Sequence, residues 1–319
     1  MTQIDYSKEP LLHVEGLKQH FRISRTYTTK AVDGIDFDIW EGETYGLVGE
    51  SGSGKSTTGR TLIRLYKPTD GKIIFNGHDI GGRLSDEDEK YLRQNMQMIF
   101  QDPMACLNPR KKVYDIIAQG LRIHKLYSSK AELDEKIYGI LDKVGLSKEH
   151  ATRYPQQFSG GQRQRIGIAR ALIMNPKLVI ADEAISALDV SIQAQVVNLM
   201  RDLQDELGIT YMFIAHDLSM VKYISDRIGV MHLGHIVETG TTDEIFQNPI
   251  HPYTRSLLSA IPRPNPIVEK ARVALTYDKV KEGVDYTAGT IHKLTLTHSV
   301  LATDEEFKKW SNDAAHFEG

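Results

Sequence analysis

The chain is poor in the groups that would cross-link it or bury it in a bilayer. It has a single cysteine, Cys106, among 319 residues. One thiol cannot close an internal disulfide, and it excludes a cysteine-only metal or iron–sulfur centre within the chain. No stretch approaches the ~20 consecutive apolar residues that a membrane span needs. The segment from Met1 to Glu15 carries Asp5, Glu9 and Glu15 and no long apolar run, so it is not expected to be a signal peptide. Positive charge is not in excess either: 39 Lys and Arg stand against 42 Asp and Glu, which argues against a global field for gripping nucleic acid. Internal repeats and low-complexity tracts are absent. Any membrane role is expected to be peripheral, through partners.

What is present is an alternation of strand and helix patterns long enough to bury a large core. Val32, Ile35, Phe37 and Ile39 alternate as in a half-buried strand ending near Trp40. Thr44 to Gly49 and Lys72 to Phe75 read as short strands, the latter after a turn at Asp70-Gly71. Residues from Leu11 to Phe100 otherwise read as strands and turns with one helix. From Asp102 to Ile168 the pattern is helical, with apolar residues at three- and four-residue spacing over Val113–Leu121 and Leu133–Val144. Leu178–Ala181 and Ile209–Ala215 are continuous apolar runs suited to strands covered on both faces. Between them Ile192, Val196, Leu199, Met200, Leu203 and Leu207 share one helical face. Pro262-Arg263-Pro264-Asn265-Pro266 reads as an extended linker. Beyond it the tail gives no assignable pattern.

Gly49-Glu50-Ser51-Gly52-Ser53-Gly54-Lys55-Ser56, followed by Thr57, matches G-x-x-x-x-G-K-[ST] at every fixed position. A strand precedes it and a helix from about Lys55 to Leu65 is expected after it. Glycines let the backbone curl so that successive N–H groups point at phosphate oxygens, and the helix start adds its positive dipole end. Lys55 supplies a charge to the β- and γ-phosphates and the Ser56 hydroxyl a ligand for Mg²⁺. A plain Gly/Ser surface loop is the bland alternative.

Asp182 and Glu183 end the apolar run Leu178–Ala181. In a parallel sheet the carboxyl ends of the strands face the ligand crevice, which puts both carboxylates beside the phosphates. Asp182 is the expected Mg²⁺ partner and Glu183 the expected base for an attacking water. Alone, two acids after a strand are more often a solvated turn.

Phe158-Ser159-Gly160-Gly161-Gln162 resembles the ABC signature, with Phe158 where that family usually has Leu. Taken by itself the stretch reads as a helix start capped by Ser159. Gln101, Ser186-Ala187-Leu188-Asp189 and His216 follow the same family's order and resemble its Q-loop, D-loop and switch histidine. The resemblance covers about Leu11 to Gly240. It implies an α/β P-loop NTPase (RecA-like) mixed sheet with an antiparallel β-subdomain and an inserted helical subdomain. It also implies ATP and Mg²⁺ as ligands. Gln101 would sense the metal and the water, and His216 would steady Glu183. Ser159, Gly160, Gly161, Gln162 and Asp189 would face a nucleotide held by a second protomer. An aromatic ring upstream of the phosphate loop would stack on adenine; Tyr27 and Phe21 are both candidates, Tyr27 favoured by its polar neighbours. The family usually has Pro after the Asp-Glu pair, where this chain has Ala184. That loosens the turn and puts the hydrolysis rate, not nucleotide binding, in doubt.

Asn248-Pro249-Ile250-His251-Pro252-Tyr253-Thr254 resembles the extension of oligopeptide/dipeptide importer ATPases. This resemblance implies a second ABC ATPase forming a heterodimer with this chain, two membrane permeases and an extracytoplasmic peptide-binding protein, at the cytoplasmic face of the membrane. It divides the chain into an ATPase domain over 8–262, with the helical subdomain over about 102–168 and the extension over about 240–262, and an unassigned tail over 263–319. Nucleic-acid machines of the ABC class insert long coiled coils between phosphate loop and signature. Here Lys55 and Ser159 lie 104 positions apart (159 − 55) without sustained heptads, so no nucleic acid is expected.

Overall fold

The computed structural model describes residues 4–262 and 274–314, and all of the linker reading after Pro262 lies outside them. In chain order the strands are β1 Leu12–Arg22, β2 Thr28–Ile39, β3 Thr44–Val48, β4 Asp70–Phe75, β5 His78–Asp79, β6 Met96–Ile99, β7 Leu178–Asp182, β8 Thr210–Ala215, β9 Arg227–His232, β10 His235–Thr241, β11 Thr290–Lys293 and β12 Ser299–Ala302. The helices used below are α1 Lys55–Leu62, α2 Asp86–Asn95, α3 Pro103–Cys106, α4 Val113–His124, α5 Lys130–Lys143, α6 Gly160–Leu172, α7 Val190–Leu207, α8 Leu218–Ile224, α9 Thr242–Gln247, α10 Pro252–Ser259, α11 Lys279–Glu282 and α12 Asp304–Ala314.

Two sheets organise the molecule. An eight-stranded sheet runs β11-β12-β10-β9-β3-β8-β7-β6, parallel from β9 to β6 and antiparallel from β9 outward to β11. A second, antiparallel sheet runs β2-β1-β4-β5. The central strands are buried on both faces because their side chains alternate between two cores. Leu178, Ile180, Met212 and Ile214 face the core shared with Leu12, Val14, Ile35 and Ile73 of the antiparallel sheet. Val179, Ala181, Phe213 and Ala215 face the core shared with Ile117, Ile137 and Val196 of the helices. An unbroken apolar run is what such a strand requires.

The helices read at 113–121 and 133–144 are α4 and α5, which pack on each other and on α6. The helix after the phosphate loop stops at Leu62, three residues before the expected end. Two further readings are corrected. Asp70-Gly71 is no free turn: Asp70 begins β4 and pairs with Lys18, and a Cβ on Gly71 (φ 100°), the next residue of the strand, would lie 2.6 Å from the Leu17 Cα. Residues 86–95 form a second helix before β6. Its signal was present in Ser85, which accepts a hydrogen bond from the Asp88 N–H, and in the four acids of the first turn, Asp86 to Glu89, placed at the positive dipole end.

The described part of the tail joins the main sheet. Ser299 and Val300 of β12 pair with Thr239 and Glu238 of β10, and β11 pairs with β12. Glu238, fully buried, accepts from the Ile250 N–H (2.8 Å) and the His251 N–H (3.0 Å), and shares a hydrogen bond with His298 Nε2 (2.8 Å). That one carboxylate ties β10, the start of α10 and the tail together.

Candidate functional site

Four neighbouring parallel strands end at one edge of the sheet. Val48 pairs with Ala215, Ile214 with Asp182, and Ala181 with Ile99. The chain therefore delivers Gly49, His216, Glu183 and, shortly after Ile99, Gln101 to adjacent strand ends. This is the crevice at which open α/β sheets hold their ligands.

The phosphate loop folds over the N-terminus of α1. Gly49 (φ 153°) and Gly54 (φ 113°) are irreplaceable on steric grounds, since a Cβ would lie 2.1 Å from the Met231 carbonyl oxygen and 2.3 Å from the Ala31 carbonyl oxygen, respectively. Gly52 (φ 83°) has open space before it. Glu50, Ser51 and Gly52 are exposed, and Ser53 is buried. Lys55, also buried, curls back into the loop: its Nζ donates to the Gly49 and Glu50 carbonyls, both at 2.7 Å, and to Ser53 Oγ at 3.3 Å. Burial lowers its pKa, opposed by the charges of Glu183, Asp182 and Glu50. The ammonium is thus held by neutral carbonyls rather than by a carboxylate, which leaves its charge for an incoming polyanion, while the three nearby carboxylates oppose that approach. The Thr57 carbonyl accepts from Thr61 Oγ1 and continues the helix.

Ser56 Oγ donates to Asp182 Oδ1 at 2.6 Å, and Arg60 reaches Asp182 Oδ2 at 3.2 Å. Arg60 escaped the sequence reading. The signal was its place four residues after Ser56, on the same face of α1.

Glu183 sits in the left-handed region (φ 47°), sparsely used by non-glycine residues. Three hydrogen bonds hold it there: its N–H donates to the Ile214 carbonyl (3.0 Å), and its carbonyl accepts from the Ser186 N–H (3.2 Å) and Ser186 Oγ (2.9 Å). Its side chain accepts from Gln101 Nε2 at 2.7 Å through Oε2, while Oε1 lies 3.8 Å from His216 Nδ1. The carboxylate is oriented on one side and free on the other.

The signature residues are placed elsewhere. Ser159 caps α6, its Oγ accepting from the Gln162 N–H at 3.3 Å, and Gln162 Oε1 accepts in return from the Ser159 N–H at 3.0 Å. The helix-start reading therefore holds. Gly160 approaches Leu188, and a Cβ on Gly161 would lie 2.6 Å from Ile192, so this helix tip rests on the segment after Glu183. Phe158 is buried against His150. Asp189, exposed, precedes α7 without a side-chain cap bond. Tyr27 lies exposed (61%) at the tip of the β1–β2 hairpin, four residues before Ala31, which touches the phosphate loop. Phe21 is instead half-buried, edge-on to Tyr66 at 5.2 Å.

The comparisons with known proteins agree with this geometry. Residues 32–186 match the ABC transporter family, and residues 237–281 match the oligopeptide/dipeptide transporter C-terminal region. The oligopeptide transport ATP-binding protein OppF of Bacillus subtilis is 59% identical over 95% of this chain and 99% of its own length. The dipeptide transport ATP-binding protein DppF of Lactococcus lactis is 52% identical over 95% and 97%. The chain belongs to the ABC transporter ATPases, in their oligopeptide/dipeptide branch. A dimeric ATP-binding cassette in a post-hydrolysis state, bound to ADP and Pi, superposes with a TM-score of 0.66 at 27% identity, over 72% of this chain and 98% of that one. The ABC ATPase fold accounts for the mixed sheet, the antiparallel sheet and the helices between β6 and β7. Among the described residues no helix is long and apolar enough to cross a membrane.

Proposed function

We propose that this chain is the ATP-hydrolysing motor of an importer of oligopeptides or dipeptides, seated peripherally on the cytoplasmic face of the membrane. The observation that carries the reading is the carboxylate of Glu183, oriented by Gln101 beside a lysine-loaded phosphate loop. Glu183 has one oxygen held and one available, as a group that takes a proton from water must. His216, more than half exposed and 3.8 Å from Glu183 Oε1, would meet the γ-phosphate and steady Glu183.

The residues present fit Mg²⁺. Ser56 Oγ and Asp182 Oδ1 are hard oxygen donors 2.6 Å apart beside Lys55's loop, and Mg²⁺ favours one or two such donors together with phosphate oxygens. Ser56 and Asp182 would hold it, with Gln101 nearby; the bound ion neutralises charge on the phosphates. Lys55 and the loop N–H groups between Gly49 and Thr57, other than those of Glu50 and Ser53, which have partners within the chain, would grip the triphosphate. Tyr27 is the better placed adenine platform, because Phe21 is engaged with Tyr66.

The helix tip at Ser159–Gln162 and Asp189 would close over a nucleotide held by a second ATPase, the pair forming a heterodimer that opens on hydrolysis. Two permeases and an extracytoplasmic peptide-binding protein complete the assembly, with the helical segment 102–168 gripping a permease. The test is affinity purification from detergent-solubilised membranes, followed by vesicle reconstitution. Peptide uptake that needs Mg-ATP supports the reading. Recovery without permeases, or vesicles that import peptide equally well without ATP, would refute it.

A further inference from the structure

The Gly49–Glu50 peptide unit is held at both ends. Its carbonyl accepts from Lys55 Nζ at 2.7 Å, and its N–H, on Glu50, donates to Tyr253 Oη at 2.9 Å. A third restraint is steric, the contact of Gly49 with the Met231 backbone. Tyr253 lies 203 positions from Glu50 and belongs to the C-terminal extension rather than to any nucleotide-binding motif. We infer that Tyr253 is a positioning residue for nucleotide binding, a strut that fixes the orientation of the first phosphate-loop peptide and so the resting place of Lys55. This rests on the proposed nucleotide site and deepens it.

The strut is itself braced. The Tyr253 ring is almost fully buried. Its backbone N–H donates to His251 Nδ1 at 3.0 Å, which caps α10. Its ring packs on His232 at 4.1 Å between centroids and on Tyr277 at 5.7 Å. His232 Nδ1 is in turn 2.6 Å from Tyr286 Oη. His232 ends β9, the strand beside β3, so the brace reaches the phosphate loop by two routes. Tyr286 lies beyond the matched extension of residues 237–281, so the tail contributes to a contact that ends on the phosphate loop.

The geometry dictates what losing the hydroxyl does. The Glu50 N–H would lose its partner, and the peptide plane would be free to rotate its carbonyl away from Lys55. The lysine would then be presented to phosphates from a broader set of positions, at a cost in binding. Tyr253→Phe removes the hydroxyl and keeps the ring.

The experiment measures Mg-ATP binding to the full chain by calorimetry for wild type, Tyr253→Phe, Lys55→Ala and Leu121→Ala. Leu121 is buried in α4, away from the loop, and its truncation controls for general loss of stability. Tyr253→Phe is expected to weaken binding by roughly fivefold, the scale of one part-buried backbone donor losing its partner. Leu121→Ala is expected to lower the melting temperature without that loss. Amide exchange adds a readout on the wild-type chain alone: the Glu50 amide should exchange slowly, and faster in Tyr253→Phe. The strut is overturned if Tyr253→Phe binds Mg-ATP like wild type, if Leu121→Ala weakens binding equally, or if the wild-type Glu50 amide exchanges freely. Lys55→Ala separates the two levels: undiminished binding in that variant sinks the nucleotide site itself, whereas its loss alongside an unaffected Tyr253→Phe sinks only the strut.

Discussion

Gln101 Nε2 donates to Glu183 Oε2 at 2.7 Å, joining residues 82 positions apart at two adjacent strand ends. The bond fixes the lobe of the carboxylate that faces away from His216. A hydrogen bond to a charged group contributes about 1.5–3 kcal/mol, so Gln101→Ala should slow phosphate release roughly ten- to hundredfold while Mg-ATP binding persists. Glu183→Gln should slow it by about 10² or more and trap an ATP-bound dimer on a sizing column. Single-turnover assays decide both. An unchanged rate in Glu183→Gln removes it from the role of base.

Lys55 is buried and bonded to three oxygens of its own loop. Lys55→Ala should abolish nucleotide retention in a filter assay. Chelating the metal with EDTA should leave the wild-type chain folded but inactive, with activity restored by Mg²⁺ alone. Full activity in EDTA would contradict the pairing of Ser56 and Asp182 as metal ligands.

Ala184 occupies the second position of the turn closed by the Ser186 N–H on the Glu183 carbonyl, at 3.2 Å. Proline is favoured at that position because its fixed φ suits the turn and its missing N–H is not used there. Ala184→Pro should therefore leave hydrolysis at least as fast and raise stability by about 0.4–1 kcal/mol, through loss of unfolded-state freedom. A fall in melting temperature would mean that the buried alanine site has no room for the ring.

His251 at the start of α10 and His232 at the end of β9 should make the fold less stable in acid. Burial pushes His251 down to about 3 and His232 down to about 4, from an ordinary value of 6.5. Nearby cations add to it: Arg255 for His251 and Lys279 for His232. Both are therefore depressed in the folded state. Above about pH 6.5 neither form binds the proton and stability is intact. As pH falls from 6.5 toward 4 the unfolded chain takes up protons that the native state refuses, and stability drops by about 1.4 kcal/mol per pH unit for each histidine. His251→Asn keeps a helix-capping side chain and should flatten this dependence. Denaturant midpoints at pH 7.5 and pH 5 give the comparison; an equal drop in wild type and variant excludes His251 as a source.

Much of the site was legible because its signals are local. The phosphate loop needs glycines and a lysine within eight residues, and Asp182-Glu183 needs only a strand before it. What escaped is what depends on distant pairing. Nothing near Glu50 announces that its N–H meets Tyr253, and nothing near Asp182 announces Arg60. The His251-Pro252-Tyr253 stretch identified the branch of the family without showing that it reaches the phosphate loop. The tail was unreadable for a different reason. β11 and β12 are four residues each, and β11 is exposed along most of its length, so no period marks them. They exist because β10 offers them a ladder.

That ladder has a further meaning for the molecule's solubility. Without residues 290–302, the outer backbone N–H and C=O groups of β10 around Glu238 and Thr239 would stand unsatisfied, an open template for any extended chain. β12 closes it, and β11 replaces it with a short border bearing His292 and Lys293. A chain cut before this hairpin would gain a self-associating rim, so the tail works as a guard against stacking of one sheet upon another, edge to edge.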